Sequence, residues 1–177
     1  EGETTSVYAA IPSVATVVFR VEDEKGNLVP AKLTFISLDP KNDLQQLRRD
    51  GVRRVELGDS RYQDGIRKLV HAKDGSGKVE IEPGFYRVVV SRGIEYSIYE
   101  VNPFVAPAGQ EVVLTAQVYR EVDTSGWVGG DFHLHAMPSM DSGLPLETRL
   151  IASAVEGLEL LVSSDHDVLV DYEPYIR

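Results

Sequence analysis

At DTSGWVGG, residues 123–130, the hydrophobic pattern of the chain changes its period. Upstream, apolar residues recur at every second position, as in strands with one buried face. Downstream they form a short apolar run, a stretch with helical spacing and a second apolar run. Side chains repeat every 2 residues in a strand and every 3.6 in a helix, so the switch predicts two kinds of layer joined in series.

In the upstream part, ATVVFRVED places Val17, Phe19 and Val21 on one face, and Lys25-Gly26-Asn27 closes the run as a turn. Pro30 opens AKLTFISL, where Leu33 and Phe35 share a side. GKVEIEPG and FYRVVVSRG read as the next pair, punctuated by Pro83-Gly84, with Phe85, Arg87 and Val89 opposite Tyr86, Val88 and Val90. EYSIYEVNPFV and QEVVLTAQVYR add two more strands, split at residues 103–109. Six or seven one-faced strands must bury their apolar sides together, which predicts an antiparallel β-sandwich over about residues 15–120 and a mainly β protein. Alternation weakens over residues 39–76. There NDLQQLRR suits a helical turn or two and RRVEL a short strand, so this segment is expected as an excursion outside the sandwich core. His71, alone in LVHAKDG, reads as structural or solvated.

Composition narrows the function. Hydrophobic residues make up 42% of the 177, sufficient for a real core. With no cysteine there is neither a disulfide nor a thiolate nucleophile, and no Cys-rich zinc site. The net charge of −10, from 18 basic and 28 acidic residues, argues against nucleic acid as a partner. The one basic group, Arg48, Arg49, Arg53 and Arg54, is broken by Asp50 and reads as a solvated face. No apolar run approaches the length of a membrane span. The chain opens at EGETTSVYAA without a basic-then-apolar leader, which fits a mature exported protein, periplasmic or extracellular, or a trimmed chain.

After residue 122, GGDFHLHA reads as a strand. PLETRLIASAVEG reads as a helix, with Leu146, Leu150, Ile151, Ala154 and Val155 at helical spacing, Ala152 and Ala154 suited to close packing, and Gly157 just past its end. LELLVSSDHD is a buried strand. This order predicts a βαβ unit over residues 132–163 with its two strands parallel.

Two of the four histidines, His133 and His135, lie in the first of these strands, on the same side as Asp131. Paired imidazoles are good nitrogen ligands for Zn, Mn or Fe. Asp141 can add a carboxylate from the following loop. The second strand ends in Asp165-His166-Asp167, at the C-terminal edge where parallel sheets gather their sites. The alternative is a hydrogen-bonded polar cluster that ties the strand ends, in which each buried polar group needs partners to offset ~2–7 kcal/mol of desolvation. No protein nucleophile is in view, since Ser139, Ser163 and Ser164 lack a nucleophile-elbow context.

GDFHLHAMPSMDSGLP followed by VSSDHD resembles the first two motifs of the PHP (polymerase and histidinol phosphatase) metal-dependent hydrolases, more closely the branch that includes carbaryl-hydrolysing enzymes. The resemblance covers about residues 127–171. It implies a distorted seven-stranded β/α barrel with two or three divalent ions, Mn, Zn or Fe, in a cleft at the strand C-termini. It assigns His133, His135, Asp141 and His166 as metal ligands. Met140 is one extra residue between His135 and the acid, relative to the commoner spacing. Asp165 takes the place of the acid beside the second-motif histidine, expected to orient a metal-site imidazole or a bridging water. The implied activity is hydrolysis of an ester-type bond in a small molecule by metal-activated water, with phosphoesters as substrates and carbamates or amides as the alternative. The family's remaining ligands lie downstream of the second motif. Residues 127–177 are therefore expected to be the N-terminal part of such a domain, completed by further sequence or a second chain, and inactive alone.

GNLVPAKLTF and GKVEIEPGFYRVVVSRGIEY resemble the carboxypeptidase regulatory-like or transthyretin-like β-sandwich, which implies such a domain over residues 1–122. On that resemblance alone, the alternative function is a non-catalytic binding or interaction module with a structural metal site.

Overall fold

The computed structural model describes residues 13–39 and 65–176. The protein is mainly β. The described residues form nine strands, one α-helix and a short 3-10 turn. The NDLQQLRR and RRVEL segments and the Arg48 to Arg54 group lie outside the described residues.

Seven strands come first: β1 (Ala15–Glu22), β2 (Ala31–Ser37), β3 (Ile66–Ala72), β4 (Ser76–Ile81), β5 (Gly84–Ser91), β6 (Tyr99–Ala106) and β7 (Glu111–Gln117). One sheet has the order β4-β1-β7 and the other β3-β2-β5-β6. Alternation governs what is buried. Ala15, Val17, Phe19 and Val21 of β1, Ala31, Leu33 and Phe35 of β2, and Tyr86, Val88 and Val90 of β5 all point into one cluster. Phe104 and Ala106 of β6 and Leu114 and Ala116 of β7 complete it, so both sheets contribute to a common core. Phe85, on the opposite face from Tyr86, is exposed. At its centre the fully buried Phe35 ring meets Tyr86 and Phe104 edge-on, with centroids 6.1 and 6.3 Å away. Burying each such side chain contributes about 1.5–3 kcal/mol.

Four expectations are corrected. The sheets are not wholly antiparallel, because β1 runs parallel to β7, pairing Thr16 with Glu111 through Glu22 with Gln117. Parallel neighbours need a long crossover, and the five intervening strands provide it. Second, the strands on either side of Pro83 do not pair with each other. β4 pairs with β1, and β5 with β2 and β6, so the chain changes sheets at Pro83. Third, residues 66–72, expected outside the core, form edge strand β3, which places His71 opposite Lys32 and buries Ala72. Fourth, β6 continues through Pro103 to Ala106. It is an edge strand, where a residue without an N–H sacrifices no ladder bond.

The remaining elements are β8 (Gly130–Leu134), α1 (Leu146–Val155) and β9 (Leu160–Ser163). β8 and β9 pair in parallel, Gly130 with Leu160 and Asp131 with Leu161, so strand, helix and parallel strand follow in the expected order, but β9, expected to be buried, exposes Leu160 and Val162. The end of α1 is closed by Gly157 at φ +77°, where Gly157 N–H bonds to Ala154 O and Leu158 N–H to Ser153 O. This double bond pattern satisfies the last carbonyls and needs a residue at ease with positive φ. The buried helix positions are Ser153 and Val155, whereas Ala154, expected to pack closely, is exposed. Ser153 can be buried because its hydroxyl donates to Arg149 O at 3.0 Å.

The helix end is seated on the β3-β2-β5-β6 sheet. Glu156 forms an ion pair with Lys32 of β2. A Cβ at Gly93 would lie 2.0 Å from Glu156 O, so the turn after β5 touches the helix terminus backbone to backbone. Among the described residues, no helix is long and apolar enough to cross a membrane.

Candidate metal centre

β8 ends at Leu134 and β9 at Ser163, side by side, so the loops that follow leave the sheet at one edge. Hydrogen bonds cross between them. Ser164 N–H donates to Leu134 O at 2.9 Å, Ala136 N–H to Asp165 Oδ1 at 2.7 Å, and His166 N–H to Ser139 Oγ at 3.0 Å. These bonds fix the backbone on which the histidines stand.

His135, Asp141 and His166 each bring a possible ligand atom within 4.8 Å of the others. Asp141 Oδ2 lies 2.9 Å from His135 Nδ1 and 3.5 Å from His166 Nε2. The His135 ring meets the His166 ring edge-on at 4.7 Å between centroids. His133 falls outside that three-residue group, yet its ring stands 4.8 Å from the His135 ring. Asp131, on the same strand, is occupied locally, accepting from His133 N–H at 2.9 Å.

Asp141 is held as an anion. Hydrogen bonds from Ser139 and then His135 outweigh desolvation and lower its carboxyl to about 2. An ionised carboxylate only accepts, so the proton of the His135–Asp141 contact belongs to Nδ1, and neutral His135 carries its lone pair on Nε2. That Nε2 is buried and has no hydrogen-bond partner among the described atoms. A buried imidazole nitrogen normally finds a donor. With the ring oriented by a carboxylate through the other nitrogen, this is the arrangement in which histidines ligate metals. His135, Asp141 and His166 offer two imidazoles and a carboxylate, donor types that suit Zn, Mn or Fe. The side is open: the side chains of Asp141 and His166 are 46% and 56% exposed, against 15% for His135.

Asp165 stands apart from the imidazoles. Its carboxylate accepts from Ala136 N–H, from Ser163 Oγ at 2.7 Å and from Tyr172 OH at 3.1 Å. Burial opposes its ionisation, but these bonds outweigh it and lower its pKa. The carboxylate that meets an imidazole is that of Asp141. His71 lies away from this edge, on β3, with its pKa lowered by burial and then by Lys32, against the opposing pull of Glu156.

Three supporting residues escape a reading of the sequence. Ser139 is 2% exposed and bonds to both loops, and its only advance signal is its place two residues before Asp141. Arg149 Nε donates to His135 O at 2.8 Å from the first turns of α1. Tyr172 reaches back to Asp165 from the segment after β9. Neither Arg149 nor Tyr172 belongs to a local motif.

No protein-family model matches the chain, and no curated protein matches it. Among solved structures, the TIE protein of Bacillus anthracis aligns over 74% of this chain at 12% identity with a TM-score of 0.32. A pilus-presented adhesin aligns over 63% at 12% identity, also with a TM-score of 0.32. The chain spans only 20% and 27% of the lengths of those two proteins.

Proposed function

We propose that the chain is the N-terminal part of a divalent-metal-dependent hydrolase acting on ester-type bonds, with phosphoesters as its substrates and carbamates or amides as the alternative class. In this reading, residues 1–122 are a carboxypeptidase regulatory-like β-sandwich, residues 127–177 open a PHP-type β/α barrel, and the rest of the barrel comes from further sequence or a second chain. The observation that carries the proposal is His135, whose Nδ1 is engaged by Asp141 while its buried Nε2 has no partner.

His133, His135 and His166 would supply nitrogens to Mn, Zn or Fe, and Asp141 would contribute a carboxylate or position an imidazole. When bound, the ion supplies Lewis acidity and lowers the pKa of a coordinated water. The protein's own part is orientation. Asp141 fixes the His135 tautomer, and Arg149 holds the backbone carbonyl of His135. Asp165 locks the loop after β8 to that after β9, acting through Ala136 rather than on a reacting atom. The exposure of Asp141 and His166 leaves room for a substrate and water beside the imidazoles.

A second reading, a non-catalytic binding module with a structural metal site or polar cluster, is favoured by Asp165, whose carboxylate is spent on tying loops. Metal analysis of the intact protein beside a His133→Ala/His135→Ala variant separates the two, with phosphoester and carbamate hydrolysis assayed on both. The expected result is loss of both bound metal and turnover in the variant. Metal without turnover in the intact protein would favour the structural reading, and unchanged metal and turnover in the variant would end the hydrolase proposal.

A further inference from the structure

We propose that Ser139 is a positioning residue of the metal centre, acting through Asp141: its hydroxyl fixes Oδ1 so that the carboxylate faces His135 and presents Oδ2 to His166. The inference rests on the metal-centre reading and extends it to a residue outside the ligand set.

Ser139 is 2% exposed, and its hydroxyl has one proton to give. The backbone N–H of His166 donates to Ser139 Oγ at 3.0 Å, occupying a lone pair. The hydroxyl proton is therefore free to go to Asp141 Oδ1, which lies 2.6 Å away. The direction of the side chain is set by the turn that carries it, with Ser139 N–H on Ala136 O at 2.8 Å and Ser142 N–H on Ser139 O at 3.2 Å. Asp141 itself is an exposed loop residue, and an exposed carboxylate has no packing to choose its rotamer. The Ser139 bond chooses it, with Oδ1 at 3.1 Å and Oδ2 at 2.9 Å from His135 Nδ1, and Oδ2 at 3.5 Å from His166 Nε2. The same oxygen atom of Ser139 thus holds the carboxylate from one loop and the backbone of the histidine from the other.

Hydrogen-bond partners of this kind contribute about 10–100-fold to metal affinity where they act on a ligand. Zn2+ binding to the chelator-stripped full chain is measured calorimetrically for wild type, Ser139→Ala, Ser139→Thr, Asp141→Ala and the Ser139→Ala/Asp141→Ala double variant. Ser139→Ala is expected to weaken Zn2+ binding by about 10-fold or more, and Ser139→Thr, which keeps the hydroxyl, to stay within about 3-fold of wild type. In the Asp141→Ala background the Ser139→Ala change is expected to alter affinity by less than about 2-fold, because its route through the carboxylate is gone. A role in folding alone would weaken binding equally in both backgrounds, which would overturn the inference. Equal affinity of Ser139→Ala and wild type would overturn it too. Wild-type protein that binds no Zn2+, nor Mn2+ or Fe2+ in the same titration, would instead overturn the metal-centre reading, and with it the inference built on that reading.

Discussion

Substituting Gly93 tests whether the helix that carries Arg149 is rigidly seated on the four-stranded sheet. Gly93 has φ +66°, and a Cβ there would lie 2.0 Å from Glu156 O and 2.7 Å from its carbonyl carbon. Gly157, on the other side of the same joint, has φ +77°, but its Cβ would meet Arg92 O at 3.7 Å, an ordinary contact. Alanine at either position must enter the left-handed region, which costs about 1–2 kcal/mol. Alanine also restricts the unfolded chain, by a similar amount at both sites, so that effect cancels in the comparison. Only at position 93 must backbone give way, and overpacking of that kind adds about 1–3 kcal/mol. Gly157→Ala should therefore lose about 1–2 kcal/mol and Gly93→Ala about 2–5 kcal/mol. Urea unfolding reads both as shifts in midpoint at constant slope. Two variants agreeing within about 0.5 kcal/mol, the usual error of such differences, would mean that the helix end slides freely and that the joint is no anchor.

Two further outcomes follow from the core and the site. Phe35→Ala should cost about 3–5 kcal/mol by urea unfolding, since a fully buried ring leaves a cavity between Tyr86 and Phe104; a loss under about 1 kcal/mol would contradict the packing. The Asp141 carboxyl, followed by carbon NMR, should titrate at about 2 rather than 3.8, and Ser139→Ala should raise that midpoint. Because its folded-state pKa is depressed, Asp141 stabilises the fold fully above its unfolded value, and the contribution is lost as pH falls through about 2; a wild-type midpoint at 3.8 would refute the hydrogen bonding described.

How much of this could be read from the chain depends on whether the cause is local. Val17, Phe19 and Val21 announce a buried strand face by themselves, as do Tyr86, Val88 and Val90, because burial follows the pleat. Gly157 likewise marks the helix end on its own. Strand partners are not local. Nothing in EIEPGFY says that the chain changes sheets at Pro83, and nothing in IRKLVHA, with its weak alternation, ranks it as an edge strand beside β2. At the candidate centre, β8 carries His133 but ends one residue before His135, so the pattern leads to adjacent rings without putting both in the strand, and the approach of His166 follows from a parallel second strand. The engagement of Asp165 with Ala136 and Tyr172 depends on the backbone path of two loops. So does the burial of Ser139, and neither has a pattern to be read.

The place of β1 between β4 and β7 has a consequence for the order in which the fold can close. The first described strand is the middle strand of its sheet, and one of its two neighbours is β7. Thr16 finds its partner only when Glu111 arrives, a long-range closure of the sort that slows folding through lost chain entropy. The seat of α1, on β2, β3 and Gly93, lies wholly within the segment that this closure completes. As the chain grows from its N-terminus, the loops bearing His133, Ser139 and His166 therefore follow the strand that finishes their foundation.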